Sequence, residues 1–198
     1  MVLRLLPEGR GVDRGEMIAL IRAGVPEPGG TWADLGAGTG NFTWALRALL
    51  GPRGTIYAID RDAKAIRRQR ELFAQAEPGA AILPVQADFT CPLDLPPLDG
   101  VLMANALHFV RDQAAALTQV ARYLRPGGRF LLVEYDVHRA GPWVPFPLPF
   151  ERFQLLAPLV GLSAPALVGT RRSPSSGITM YASVAVRPTH TTDGPARP

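Results

Sequence analysis

Over positions 1–135, short apolar runs alternate with longer segments in which apolar residues recur every three or four positions. The longer segments have the spacing of amphipathic helices, and the short runs are typical of strands. The predicted strands are 31–35, 55–59, 81–86, 100–104 and 129–134. Because strand and helix alternate, we expect an α/β fold with a parallel, doubly wound sheet and right-handed crossovers. The continuously apolar centre of the last run, Phe130 to Val133, predicts a strand covered on both faces.

Capping and turn residues mark the ends of the helices between these strands. The predicted helices are 14–23, 42–50, 62–76 and one around 117–124. Asp13 can cap the first of them, with Glu16 completing a capping box and Val12 and Met17 forming a hydrophobic staple. Gly-Pro and Pro-Gly pairs at 51–52, 78–79 and 126–127 are expected to end the others.

The last third of the chain has a different character. Residues 141–149, GPWVPFPLP, read as an aromatic, proline-rich loop, and a helix is predicted around 151–156. The runs 165–170 and 177–186 predict a closing antiparallel hairpin, because the second run alternates apolar and polar residues. We therefore expect an N-terminal helix and lead-in over 1–30, one domain over 31–187 and a flexible tail over 188–198.

Composition narrows the class of protein. With 47% hydrophobic and 19% charged residues, the chain is typical of a soluble globular protein. No apolar run approaches the ~20 residues of a membrane-spanning helix, and the N-terminus lacks the pattern of a signal peptide. We expect a cytoplasmic protein without membrane insertion. The lone Cys91 offers neither a disulfide framework nor a thiolate metal cluster, and no metal is expected.

The formal net charge of +4 is modestly basic, which by itself can indicate a nucleic-acid partner. The most basic stretch, RDAKAIRRQR at 61–70, falls in a predicted helix. At helical spacing these charges are more simply the solvated face of an amphipathic helix. Nucleic acid is therefore not the expected partner, and the sequence leaves the oligomeric state open.

The turn between the first strand and the next helix indicates a ligand that lies against backbone. In WADLGAGTGNF, residues 32–42, glycines stand at 36, 38 and 40. Such a turn leaves backbone N–H groups and a helix N-terminus open to a ligand. A nucleoside-triphosphate loop is excluded, because no Gly-Lys-Ser/Thr follows. A dinucleotide loop is weakened, because Asn41 stands where that motif has its third glycine, but it stays open.

Motifs along residues 12–186 resemble those of class I S-adenosylmethionine-dependent methyltransferases. They are Asp34-x-Gly36-x-Gly38-x-Gly40, the acid Asp60 that ends the second strand, QADF at 86–89, DGVLMANALHF at 99–109 and YLRPGGRFLLVE at 123–134. The likeness is greatest to small-molecule enzymes of the ubiquinone/menaquinone-biosynthesis and "methyltransferase type 11" kind. It implies a Rossmann-like seven-stranded sheet of order 3-2-1-4-5-7-6 with strand 7 antiparallel. It also implies S-adenosylmethionine as the cofactor of the domain over 31–187.

The resemblance gives the glycine loop and the first acids a role in holding this cofactor. Gly36, Gly38 and Gly40 would let its methionine part lie against backbone. Asp34 would contact its ammonium group directly or through water, or else only order the loop. Asp60 would accept hydrogen bonds from the ribose hydroxyls, with Arg61 beside it, or else cap the following helix.

The later motifs would hold the two ends of the cofactor. Asp88 would accept from the adenine amino group while Phe89 packs on the ring, although a surface turn is the alternative. Asn105 would offer its backbone beside the methionine part, or be an ordinary loop residue.

Candidate catalytic groups stand near strand ends: His108 after the fourth strand, Glu134 and Tyr135 at the end of the fifth, and His138 beyond. Either histidine could accept a proton near neutral pH, and Glu134 ends a strand, where ligands collect in such sheets. For each histidine, a packed or hydrogen-bonded loop residue is the alternative. Methyl transfer is an in-line displacement governed by positioning, so a base is needed only when the acceptor must lose a proton.

The implied activity is methyl transfer to a small, apolar organic molecule. The loop that carries Trp143 and Phe146, with Phe150 after it, could roof such an acceptor or only plug the core. Asn105 is followed by Ala106-Leu107-His108, and not by the Pro-Pro-aromatic sequence of amino-methylating nucleic-acid enzymes. Two alternatives stay open: a cofactor-binding regulatory protein without turnover, and a nicotinamide-dependent oxidoreductase.

Overall fold

The structure, a computed structural model, describes residues 13–173 and 176–189. The strands are β1 Gly30–Leu35, β2 Gly54–Asp60, β3 Ala81–Gln86, β4 Leu98–Ala104, β5 Leu124–Tyr135, β6 Ala166–Arg172 and β7 Thr179–Val186. The helices are α1 Arg14–Ile21, α2 Asn41–Leu50, α3 Ala63–Ala74, α4 Gln113–Tyr123 and α5 Phe150–Leu159, and a short 3-10 turn spans Leu107–Phe109. Val12 of the predicted staple and residues 190–198 of the predicted tail lie outside the described residues.

These strands form one sheet in the order β3-β2-β1-β4-β5-β7-β6. The strands from β1 to β5 pair in parallel, whereas β7 is antiparallel to both β5 and β6. The predicted fold class, strand order and antiparallel last strand are confirmed. The order reverses between β1 and β4, and in open α/β sheets the crevice at such a point is where ligands bind.

Both faces of the sheet are covered. On one face, Leu117 of α4 and Phe153 of α5 belong to the same buried cluster as Phe130. On the other face, Ile21 of α1 joins the cluster that contains Leu131. Successive residues of a strand point to opposite faces, and Phe130 and Leu131 are both fully buried. The continuously apolar run in β5 therefore predicted its environment correctly.

Two polar positions of β7, Tyr181 and Ser183, are also buried, which simple alternation did not predict. Met180 belongs to the cluster on the α1 face, whereas Tyr181 belongs to the cluster on the α4 face, and Ser183 is fully buried. The Tyr181 hydroxyl donates a 2.8 Å hydrogen bond to the carbonyl of Leu148. Burial also raises the pKa of this hydroxyl. The alternation therefore identified the strand but not its covered second face.

The strand β5 starts earlier than the apolar run suggested, at Leu124 instead of residue 129. Leu124 pairs with Leu98 of β4. The N–H of Gly127 donates to the carbonyl of Arg187, and the N–H of Arg187 donates to the carbonyl of Gly128, each at 2.8 Å. Pairing with distant backbone thus holds the Pro-Gly-Gly segment in the sheet. None of the helices within 13–173 and 176–189 combines the length and apolar character needed to span a bilayer.

Candidate cofactor site

A cavity of about 490 Å³ opens where the strand order reverses. Its size falls in the usual range for a small-molecule site. It is lined by Gly36, Gly38, Asp60, Arg61, Asp88, Phe89, Thr90, Asn105, Ala106, Phe109, Val110 and Arg111. All of these residues belong to the segments at or just beyond the carboxyl ends of β1, β2, β3 and β4. The topology therefore brings together residues that are far apart in the sequence.

The glycines of the loop after β1 have three different surroundings. All have positive φ: +76° at Gly36, +54° at Gly38 and +93° at Gly40. A Cβ on Gly36 would lie 2.5 Å from the Cβ of Ala106, whereas a Cβ on Gly38 would meet no atom within 4 Å. Gly38 lines the cavity, so a side chain there would enter the space open to a ligand. Gly40 does not line it; it is the N-cap of α2 and lies against Phe73.

Asp60 joins the glycine loop to the start of α3. Its Oδ2 accepts a 2.7 Å hydrogen bond from the N–H of Gly38, and its Oδ1 accepts a 2.9 Å bond from the N–H of Asp62. The N-cap of α3 is Asp62, whose carboxylate accepts from the N–H of Lys64. A carboxylate has about four acceptor positions, so Asp60 can still accept bonds from a ligand in the cavity that it lines together with Arg61.

Asp88 is held as an acceptor at the edge of the cavity. Its Oδ1 accepts hydrogen bonds from the hydroxyl and the N–H of Thr90, at 2.7 and 2.9 Å. These bonds, the hydroxyl's first, lower the pKa of the Asp88 carboxyl below its ordinary value. Phe89 also lines the cavity, so an ionised acceptor and an aromatic ring stand next to each other.

Asn105 has a strained backbone and an unpaired amide oxygen. Its φ of +52° is the only positive value among the non-glycine residues that the structure describes. Its N–H donates to the carbonyl of Val133 at 2.9 Å, and its Nδ2 lies 3.8 Å from the Sδ of Met180. Its Oδ1 is buried without a hydrogen-bond partner. Strain and unpaired polar atoms of this kind are concentrated at functional sites.

Asp34 lies behind the cavity wall and is not among the lining residues. It is 1% exposed, and its Oδ2 accepts a 2.6 Å hydrogen bond from the hydroxyl of Thr43. Its Oδ1 has no partner. Burial raises the pKa of Asp34 to about 7, against the lowering effect of the Thr43 bond and with a smaller contribution from the charge of Asp60. A direct contact of Asp34 with a ligand stays a prediction.

His108 and Glu134 form a buried pair outside the cavity lining. The Nδ1 of His108 lies 2.6 Å from the Oε2 of Glu134, and the two side chains are 2% and 1% exposed. The Oε1 of Glu134 accepts hydrogen bonds from the N–H groups of Leu107 and His108, at 2.9 and 3.1 Å. One carboxylate thus ties the 3-10 turn after β4 to the end of β5. Neither side chain is among the lining residues, and proton acceptance by His108 or Glu134 stays a prediction.

The other two catalytic candidates also lie away from the lining residues. Tyr135 is half-buried, and its ring centroid is 5.8 Å from that of His108. His138 is on the surface, with its side chain 64% exposed and 3.3 Å from the carboxylate of Glu151. Proton acceptance by Tyr135 or His138 stays a prediction.

The aromatic loop after β5 is docked beside the cavity. The N–H of Phe146 donates to the carbonyl of His108 at 3.0 Å, and the Arg111 guanidinium lies 5.3 Å from the centre of the Phe146 ring. Trp143 is 84% exposed. Phe150 packs on Tyr181 with 5.4 Å between ring centroids. Phe146 thus contacts Arg111 of the cavity wall, whereas Phe150 packs against the core. That the loop roofs an acceptor stays a prediction.

Sequence reasoning missed several residues of the cavity wall. They are Thr90, Ala106, Phe109, Val110 and Arg111. Each follows closely after a residue that was predicted, Asp88 or Asn105. The signal that could have found them is position alone, since a segment leaving the carboxyl end of a strand borders the crevice whatever its composition.

A model of the family described as "Methyltransferase domain" matches residues 33–130, about half of the chain, and these include all of the cavity-lining residues named above. The chain belongs to this methyltransferase family. The ubiquinone/menaquinone biosynthesis C-methyltransferase UbiE of Hahella chejuensis is 33% identical over 109 residues, which cover 54% of this chain and 44% of that protein. The 2-phytyl-1,4-naphtoquinone methyltransferase of Nostoc punctiforme is 30% identical, over 56% of this chain and 48% of that protein. The chain spans about half the length of these curated relatives.

Solved methyltransferases share the fold. The 1,6-didemethyltoxoflavin-N1-methyltransferase of Burkholderia thailandensis, solved with bound 1,6-didemethyltoxoflavin and S-adenosylhomocysteine, superposes with a TM-score of 0.68 at 17% identity. The likeness covers 89% of this chain and 78% of that one. S-adenosylmethionine is the cofactor that the family implies. The described residues fit it: space beside Gly38 that a Cβ would fill, carboxylates at Asp60 and Asp88, and the unpaired Oδ1 of Asn105.

Proposed function

We propose that the chain binds S-adenosylmethionine in this cavity and transfers its methyl group to a small, apolar organic acceptor. The observation that carries the proposal is the position of Gly38 in the cavity wall. A glycine at φ +54° with open space at its Cβ position stands beside a carboxylate at the end of β2. This arrangement admits an adenosyl amino acid against backbone while Asp60 accepts from its ribose.

The cofactor supplies a methyl group on a sulfonium, which a nucleophile displaces in line. The chain contributes orientation and exclusion of water, the terms that dominate such a displacement. Among the described residues that line the cavity, the acids are Asp60 and Asp88, and both carboxylates already accept hydrogen bonds from the chain. We infer that this wall supplies no general base, so the proton that a phenol or hydroquinone loses on methylation passes to solvent.

The mouth of the cavity favours an apolar acceptor. Phe109 lines the cavity yet is 57% exposed, and its ring centroid lies 4.2 Å from that of His108. Arg111 also lines the cavity, and its guanidinium lies over the ring of Phe146. An aromatic ring left exposed beside a cofactor site provides a surface on which a planar apolar molecule can pack. Two relatives are named as methyltransferases of quinone biosynthesis or of a naphthoquinone, which agrees with this class of acceptor.

The test is turnover with tritium-labelled S-adenosylmethionine and a panel of small hydroquinones, phenols, thiols and amines. Methylation within the hydroquinones and phenols is the expected result. Cofactor binding without turnover on any class would instead favour the regulatory alternative. The buried position of His108 and Glu134 keeps that alternative open, because it removes the best base candidates from the cavity wall.

Phe109→Ala is expected to raise the KM for the acceptor about tenfold, because truncation of an exposed ring at a binding surface costs about 1–2 kcal/mol. The KM for S-adenosylmethionine should stay within about twofold. Steady-state kinetics with each substrate varied in turn measures both. Leu155→Ala is the control, since Leu155 is a 75% exposed side chain on α5 that does not line the cavity. An equal rise in both KM values would assign Phe109 to the cofactor instead.

A further inference from the structure

We propose that Gln69 is a positioning residue for the cofactor, acting through the peptide of Gly38. Gln69 lies on α3 and is fully buried. It does not line the cavity, and no motif singled it out. The inference rests on the proposed function, and it adds a residue on a different element to the machinery of that site.

The carbonyl and the N–H of Gly38 are hydrogen-bonded to two different side chains. The Nε2 of Gln69 donates a 2.6 Å hydrogen bond to the carbonyl of Gly38, and the N–H of Gly38 donates a 2.7 Å bond to Asp60. The loop residue that lies against the ligand is thus fixed by β2 on one side and by α3 on the other. Asp60 also faces the cavity, whereas Gln69 does not, so only Gln69 has a purely positioning contact.

The loop needs such an anchor because glycines cost the most conformational entropy to order. An unanchored loop would be fixed only when the ligand binds, and that cost would lower the affinity. Gln69 can reach the carbonyl of Gly38 because α3 lies close to the glycine loop. A Cβ on Gly40 would come within 3.3 Å of the Cγ of Gln69. The absence of a side chain at Gly40 therefore lets α3 approach the loop closely enough for the bond to form.

The chemistry of the side chain suits this position. A carbonyl needs a donor, and an amide provides one without a charge, which would be costly to bury. A carboxylate would offer no donor when ionised. The Oε1 of Gln69 has no partner, so the side chain is bound through its Nε2 alone.

The test is Gln69→Met, which keeps the length of the side chain and removes the donor. We expect calorimetric titration with S-adenosylhomocysteine to show binding about tenfold weaker than in the wild type. The ¹³C resonance of the Gly38 carbonyl should move upfield in the ligand-free variant, as the loss of an accepted hydrogen bond requires. Ile66→Ala is the matched control: Ile66 is 2% exposed on the same helix and contributes packing, not a bond to the loop.

The outcomes separate this inference from the proposed function. Tight binding by the wild type, weaker binding by Gln69→Met and near wild-type binding by Ile66→Ala at an equal loss of Tm would support positioning. Binding unchanged in Gln69→Met, an unmoved Gly38 resonance, or equal weakening in both variants would overturn the inference alone. A wild type that does not bind S-adenosylhomocysteine would overturn the proposed function and this inference with it.

Discussion

Glu134→Ala is expected to lower the free energy of unfolding by about 3–5 kcal/mol, because it leaves several buried polar groups without a partner at about 1–3 kcal/mol each. The substitution removes the acceptor of three hydrogen bonds, from the ring of His108 and from the N–H groups of Leu107 and His108. All three donors would stay buried without a partner. Urea unfolding followed by circular dichroism measures the change.

Two further variants show whether the carboxylate is responsible. Glu134→Gln keeps an oxygen for the backbone N–H groups and is expected to lose less than Glu134→Ala. Glu151→Ala removes a carboxylate that is 74% exposed next to His138, and exposed pairs contribute little, so it should change stability by less than about 1 kcal/mol. A loss in Glu134→Ala no larger than in Glu151→Ala would contradict the buried network.

Asp34→Asn is expected to stabilise the ligand-free protein more at pH 8 than at pH 5. Burial raises the pKa of Asp34 from 3.8 to about 7. Below about pH 4 the group is protonated in both the folded and the unfolded chain. Between pH 4 and 7 the unfolded chain releases the proton while the folded chain keeps it, so the wild type loses stability as the pH rises. The three-unit shift corresponds to a loss of up to about 4 kcal/mol.

Asparagine keeps an oxygen for the Thr43 hydroxyl but does not titrate, so the variant lacks this contribution. The difference in the free energy of unfolding between variant and wild type, measured by urea titration from pH 4 to 8, should therefore grow as the pH rises from 4 to about 7 and level off above that pH. A difference that is the same at every pH would show that Asp34 is ionised in the folded chain throughout this range.

The architecture was predicted from the hydrophobic pattern of the chain and its resemblance to the methyltransferase family together. The alternation of apolar runs and helical segments predicted the parallel sheet, and the resemblance supplied the strand order and the antiparallel β7. Local signals failed where distant backbone decides the structure. Pro126-Gly127-Gly128 would normally end an element, yet the hydrogen bonds of Gly127 and Gly128 with Arg187 keep it in β5, between residues that pair with β4.

The site was less predictable, because direction and burial of side chains depend on packing. Glu134 was a site candidate because it ends a strand. Its carboxylate, however, accepts hydrogen bonds from the N–H groups of Leu107 and His108 and does not line the cavity. Gln69 gave no signal, since a glutamine on an amphipathic helix is indistinguishable from its solvated neighbours until the fold brings it against Gly38. Asp60, in contrast, was predicted from the family resemblance, as the acid that ends the second strand, and it lines the cavity.

The most direct measurement is calorimetric titration of the wild type and of Asp60→Ala with S-adenosylhomocysteine. The Asp60 carboxylate lines the cavity and accepts a hydrogen bond from Gly38, so its removal takes away a loop anchor together with the proposed acceptor of the ribose hydroxyls. Micromolar binding that Asp60→Ala weakens by about tenfold or more, roughly 1.4 kcal/mol, is the predicted result. A wild type that binds reduced nicotinamide dinucleotide and not S-adenosylhomocysteine would contradict the proposed cofactor.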